Sequence, residues 1–271
     1  MPFTLAHPAA VLPLRRTGLV FSALVVGSMA PDFPYFLSVS DAIRWGHSTR
    51  GVFLFCLPFG LLVLWLFHAG VKRPLLSLAP EFMRQRISKE SLEFRFGPGS
   101  RLLLILASLL LGTITHILWD GFTHDHGYFV KHWALLSVPV MTYRVMPLWR
   151  ALQGACSVLG VALVFGVAAW WWYRKPTVAE PVASEMTPKL RWFIVAVAGG
   201  LASLAGVAAG LGYLRLHGWK ASLVEGVIVA ISAGCVEILL FSLAWHANRS
   251  RAEKQKPLDR EIQRLNVTAE R

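Results

Sequence analysis

The apolar residues of this chain come in long blocks separated by basic loops, and that arrangement limits the fold more than any single motif does. Gly51 to Val71, Arg101 to Asp120, Ala151 to Tyr173, and segments near 190–214 and 221–246 form five such blocks. A block of ~20 residues rising ~1.5 Å per residue crosses a hydrocarbon core ~30 Å thick. With 55% hydrophobic residues, 11 Trp and a mean hydropathy of +0.52, the chain is too apolar for a soluble domain of its size. The expected fold is all-α: a polytopic membrane helix bundle with a short N-terminal helical hairpin and five transmembrane helices.

The hairpin follows from length. Leu19 to Ala30 is apolar but too short to span, and Arg15-Arg16 separates it from the apolar start of the chain. Residues 4–30 are therefore expected to turn back at the two arginines, with Thr4 as N-cap, returning His7 and Asp32 to one level. Pro31-Asp32-Phe33-Pro34 reads as a non-helical corner. Pro58 and Gly60 are expected to kink the first span, and Glu81 to Leu92 to form an amphipathic surface helix. Tyr128 to Arg150 reads as an interfacial or re-entrant segment.

Three parts are expected: 1–150, a membrane-embedded module; 151–247, the C-terminal transmembrane helices; and 248–271, a charged cytoplasmic tail. The net charge of +12 fits loops rather than a nucleic-acid groove. Of the 27 basic residues, 20 fall on the side of Arg15, Lys72, Arg174 and the tail, and 7 on the other. The positive-inside rule assigns the richer side, and the C-terminus, to the cytoplasm. Cys56, Cys156 and Cys235 lie in separate apolar blocks with no paired spacing, so packing is their expected role.

The run Gly112-Thr-Ile-Thr-His116-Ile-Leu-Trp-Asp120-Gly-Phe-Thr-His124 carries the chemistry. His116 and Asp120 are one helical turn apart at i, i+4, so an imidazole nitrogen and a carboxylate oxygen project from the same face. His124 continues that face if the helix persists. The charge count puts Asp32, His47, Asp120 and His124 on one extracytoplasmic face, and the hairpin adds His7. The expected metal set is His7, Asp32, His47, His116, Asp120 and His124, holding a divalent ion. Asp32 doubles as a general-base candidate. His126, His132 and Asp125 are expected to be surface residues.

Met1-Pro-Phe-Thr-x-Ala-His7-Pro-Ala, Gly27-Ser-Met-Ala-Pro-Asp32-Phe and Leu118-Trp-Asp120-x-Phe-Thr-His124 resemble the bacterial membrane family known as domain of unknown function 4184, over about residues 1–175. That resemblance implies a polytopic membrane protein and no established activity. More distantly, the order His, Pro-Asp, His-Ser, His-x-x-x-Asp is similar to predicted membrane-bound metal-dependent hydrolases and to the zinc-dependent phospholipase C and P1 nuclease pattern. The phospholipase C and P1 nuclease likeness implies that Asp32, His47, His116 and Asp120 hold one zinc, with Asp120 placed to bridge to a second ion near His7. Phe33-Pro34 stands where the hydrolases carry a second acid, and the loop keeps one histidine, His47.

Three functional classes remain at this point. The leading one is a membrane-bound metal-dependent hydrolase of a lipid-linked or periplasmic phosphoester, with the bilayer as its setting, no nucleic-acid partner and an open oligomeric state. Arg44, Arg50, Arg144 and Arg150 lie on the same face and suit a phosphate or a lipid headgroup. The alternative is a non-enzymatic multi-spanning protein, a metal-binding scaffold or transporter subunit, in which Glu237 and the glycine-rich fourth span have a part. The third is a b-type haem protein, which needs two of His68, His116 and His246 at one depth.

Overall fold

The chain was analysed as a computed structural model that describes residues 3–37, 45–184 and 186–269, with side chains left out for Leu216 and 256–269. Among the described residues, five helices are long and apolar enough to cross a membrane: Thr49–Leu78, Gly99–His132, Leu148–Arg174, Pro188–Arg215 and His217–Gln255. The architecture is an all-α membrane bundle. The chain divides into two compact units, Met1–Leu66 with Glu93–Ala179, and Phe67–Leu92 with Glu180–Arg271.

The first unit opens with the hairpin. A 3-10 turn at Thr4–Ala6 leads into α1 (Pro8–Val11) and a second 3-10 turn at Leu12–Arg16. After Thr17–Val20 the chain returns as α2 (Phe21–Met29). Pro8 and Pro13 both sit in first turns, where the missing N–H has no partner to lose. Phe3 begins the first turn with no side-chain cap, so Thr4 is not the N-cap expected of it. The Pro31 corner is also helical: Ala30–Asp32 is a 3-10 turn and Phe33–Phe36 a single α turn, α3. Each proline occupies the start of its own short turn, which bends the path without leaving helical backbone.

Helix α4 covers Thr49–Leu78 and carries two π-helical stretches, Val52–Cys56 and Leu66–Val71. Helix α5 (Gly99–Thr123) is the centre of the unit. Small residues let α2 lie directly on it: a Cβ at Gly27 would strike the Leu109 backbone, and one at Gly112 the backbone of Leu24 and Ser28. Backbone approach this close replaces side-chain interdigitation. The Val20 N–H donates to Ser108 Oγ (3.0 Å) and the Thr113 hydroxyl to the Gly27 carbonyl (3.2 Å). Val20, Ala23, Val26, Leu64, Ile105 and Leu109 form the apolar core beneath, drawn from α2, α4 and α5.

Beyond α5, Tyr128–His132 is one short helix, and Pro139–Met141 pairs antiparallel with Val145–Pro147. That two-stranded hairpin occupies part of the segment expected to be interfacial or re-entrant. Helix α6 (Leu148–Arg174) closes the unit. Its Gln153 side chain donates to the Thr123 carbonyl (3.1 Å), and its Ser157 hydroxyl accepts from the Phe3 N–H (3.0 Å). Gly160 lies against Ala6.

In the second unit α7 (Pro188–Arg215) and α8 (His217–Gln255) form an antiparallel pair that reverses at Gly218, whose φ of 74° is open to glycine. Gly206 packs on Gly226 and Ala230, and Gly210 on Ser222. Helical backbone continues to Ala269. The expected surface helix over Glu81 to Leu92 is confined to Glu81–Arg84, with a 3-10 turn at Glu90–Leu92. The intervening chain is drawn into extended pairing instead: Ser88 bridges Pro181, and the Val182 N–H donates to the Ile87 carbonyl (3.1 Å).

Candidate metal centre

Three pieces of local structure deliver the donors. The α2–α5 contact fixes His116, whose Nδ1–H donates to the Ser28 carbonyl at 2.8 Å. That bond selects the tautomer and leaves the Nε2 lone pair facing inward. The 3-10 turn at Ala30–Asp32 presents Asp32, whose Oδ2 accepts the Thr4 hydroxyl at 2.7 Å. His47 comes from the turn preceding α4. Gly46 lies against the Pro31 carbonyl, where a Cβ does not fit, and its own carbonyl accepts the Cys56 thiol at 3.3 Å.

Asp32, His47, His116 and Asp120 each offer one donor atom, and all four atoms lie within 4.8 Å of one another. His116 Nε2 is 3.3 Å from His47 Nε2, 3.5 Å from Asp32 Oδ1 and 3.2 Å from Asp120 Oδ2. His47 Nε2 is 3.5 Å from Asp32 Oδ1 and 3.4 Å from Asp120 Oδ2. Four donors around an ion with bonds of ~2.0–2.1 Å stand ~3.3–3.4 Å apart in a tetrahedron. These five contacts are edges of about that size, and the sixth pair, Asp32 with Asp120, lies within 4.8 Å.

Asp120 faces two ways. Its Oδ2 belongs to the group of four, while Oδ1 points to His7 Nε2 (3.7 Å) and His124 Nδ1 (3.6 Å). His7 is fully buried and stacks on His116, with ring centroids 3.7 Å apart. Both its ring nitrogens, Asp32 Oδ1 and Asp120 Oδ1 are buried without a hydrogen-bond partner. Groups of this kind are costly to bury unless something answers them, and two carboxylates with converging imidazole nitrogens call for a cation. The donor set therefore fits a divalent ion.

The charges agree. Burial, with His116 next to it, pushes the His7 pKa down to about 3, so the ring is neutral and keeps a lone pair. Burial alone would raise Asp32, but the His116 and His47 rings that face it outweigh burial and hold the carboxyl below the usual carboxylate range. Tyr35 is pushed up to about 12 by burial and by the negative charge of Asp32 and Asp120. His47, a quarter exposed, and Asp120, a tenth exposed, form the opening.

Of the six residues expected from the sequence, four form the tight group, His7 lies against it, and His124 stands at its edge. Helix α5 ends at Thr123 and His124 is extended, so its ring turns back to the Asp120 carbonyl (3.0 Å) instead of continuing the helix face. Asp125 and His126 form an exposed pair at 2.7 Å, away from the group. His246 Nε2 is bonded to the Gly70 carbonyl (2.8 Å), a structural use. Arg44 lies outside the described residues. Thr4 and Tyr35 were missed: Thr4 reads as a cap in sequence, and Tyr35 has no motif around it.

A family model for the domain of unknown function DUF4184 matches residues 1–243. The chain belongs to this family. The match runs past the 1–175 over which the motifs were recognised and takes in α7 and most of α8, so the DUF4184 unit comprises both the donor set and the helices that follow it. No curated protein and no solved structure matches the chain.

Proposed function

We propose that this DUF4184 protein is a membrane-bound metal-dependent hydrolase that holds one divalent ion, zinc by its donor chemistry, between Asp32, His47, His116 and Asp120. The observation that carries the reading is the set of five distances of tetrahedral-edge size among four donors, backed by orphaned buried atoms on Asp32, Asp120 and His7. A bound ion would lower the pKa of water towards ~7 and polarise a phosphoryl oxygen. Asp32 has one oxygen tied to Thr4 and the other aimed at the group, which supports a ligand role over a general-base role. Asp120 Oδ1, which faces His7 and His124 rather than the group of four, is the alternative base, and His7 is its neighbour and a fifth donor. The preferred substrate is a lipid-linked or extracytoplasmic phosphoester. The basic-residue asymmetry supports a site on the outer face of a bacterial inner membrane and a cytoplasmic C-terminus.

One observation favours the second reading, a non-enzymatic metal-binding scaffold: four protein donors at tetrahedral spacing resemble a closed structural site more than an open catalytic one. The deciding experiment pairs metal analysis with turnover. Purified protein should carry stoichiometric zinc that His116→Ala loses, and should hydrolyse a phosphodiester surrogate such as bis-(p-nitrophenyl) phosphate in a way that Asp120→Ala abolishes. Retained zinc with no turnover of this or lipid phosphoesters selects the scaffold.

A further inference from the structure

The tip of the N-terminal hairpin holds Arg15 and Arg16 at a depth where a pair of charges needs an explanation. Val20, just after the tip, is bonded to Ser108, which lies about 13 Å along α5 from its Gly99 end. On α6 the tip faces Leu163 and Val167. Val167 is about 10 Å short of the helix end at Arg174. That end carries the interfacial signature: Trp170 and Trp171, with Arg174 and Lys175 over their rings. The two hairpin arginines thus lie beside α6 before its aromatic belt, where a span of this length and composition faces lipid. Neither has an ion pair among the described residues, whereas intramembrane charges are ordinarily paired or functional.

The same two residues line a cavity of about 350 Å³ whose other walls include Leu12, Pro13, Leu163 and Val167. No acidic side chain lines it. Its chemistry is that of an amphiphile: two guanidiniums, which bind phosphate oxygens in a forked geometry, beside an aliphatic wall formed by a lipid-facing helix. Leu163 is 51% exposed, so this wall opens to where acyl chains run.

We propose that this cavity binds an anionic phospholipid, its phosphate on Arg15 and Arg16 and an acyl chain along Leu163 and Val167. The lipid completes the half-span left by a hairpin that turns back inside the bilayer. It also supplies the counter-charge that the chain lacks there. The site lies at the opposite end of the hairpin from His7 and Asp32, so it stands or falls independently of the metal centre.

Native mass spectrometry of the full-length, detergent-solubilised protein, titrated with phosphatidylglycerol or phosphatidylcholine of identical acyl chains, tests the proposal. The first phosphatidylglycerol should bind roughly tenfold tighter than phosphatidylcholine, as expected for two basic contacts. Arg15→Gln/Arg16→Gln should remove the preference, and Arg174→Gln/Lys175→Gln should keep it. Should the hairpin variant fail to fold, Val167→Trp, which fills the cavity from the helix face, should also remove it. Equal binding of the two lipids, or a preference that survives both cavity variants, overturns the site. An equal loss in Arg174→Gln/Lys175→Gln assigns the effect to general surface charge and also overturns it. Millimolar inorganic phosphate should leave the adduct in place; displacement would overturn a lipid as the occupant.

Discussion

In the unit of Met1–Leu66 and Glu93–Ala179, His7, Asp32 and His116 are as fully buried as Leu24, Ile105 and Leu109 around them. In the unit of Phe67–Leu92 and Glu180–Arg271, the buried polar residues among those described are Ser77, Arg191, Ser222 and Ser242. Each of these donates to a backbone carbonyl of its own unit. The buried polar residues of the second unit are therefore answered by its backbone, whereas in the first the donor atoms of His7, Asp32 and Asp120 converge without hydrogen-bond partners. An incomplete network is worse than an apolar core unless a ligand completes it, and this difference is what points to an ion.

The comparison breaks most sharply at Asp120. Asp120→Ala removes a residue that faces both His47 and His116 on one side and His7 on the other. Zinc affinity should fall by more than ~100-fold, beyond the loss typical of an outer-shell residue. Chelation should lower the melting temperature of the wild type and leave that of the variant unchanged, as mass action requires. A wild type indifferent to chelator would make the first unit as self-contained as the second, and the metal reading would fail.

Glycines sharpen the same contrast. Gly112→Ala would drive a methyl group into the Leu24 and Ser28 backbone and push away the carbonyl that orients His116, whereas Gly199 faces open space on α7. Gly112→Ala should destabilise by ~1–3 kcal/mol through overpacking. Gly199→Ala should be neutral or stabilising by under ~1 kcal/mol, the helix-propensity difference. Thermal unfolding in one detergent reads both, and equal effects would mean that the α2–α5 contact is not the close one described.

What the sequence made legible was what depends on periodicity and length. The i, i+4 pair of His116 and Asp120, the five spans and the turn at Arg15-Arg16 all follow from spacing along one chain. Less legible was whatever depends on partners far along the chain. The bond of Thr4 to Asp32 joins residues 28 apart, and nothing local distinguishes it from a helix cap. The 3-10 path through Pro31 and Pro34 was hidden because a proline that opens a helical turn and one that ends a helix look alike in sequence. The shortened helix after Glu81 reflects pairing of Ile87 and Ser88 with residues 181–182, beyond the reach of a window-based reading.

Thr4 gives a prediction of intermediate size. Thr4→Val keeps the shape but leaves Asp32 Oδ2 unanswered in a fully buried position. Zinc should then bind ~10-fold more weakly, in the range of outer-shell losses around metal sites, and Thr4→Ser should restore most of it. If Thr4→Val binds like wild type, Asp32 is held in place by the backbone turn alone.

The smallest effect is expected at His124, and it tests where the centre ends. In the sequence His124 extends the spacing of His116 and Asp120 by one more turn. In the structure the helix stops at Thr123, and His124 Nδ1 sits closer to the Asp120 carbonyl (3.0 Å) than to Asp120 Oδ1 (3.6 Å). A ring nitrogen that donates to a carbonyl has no lone pair for an ion, so this atom serves the helix terminus. His124→Ala should change zinc affinity by less than ~3-fold, well under the loss at an outer-shell partner. It should lower stability by no more than ~1 kcal/mol, the scale of a helix-end contact. A loss of zinc equal to that of His116→Ala would instead place His124 among the ligands and extend the centre to the far side of Asp120, where His7 already faces Oδ1.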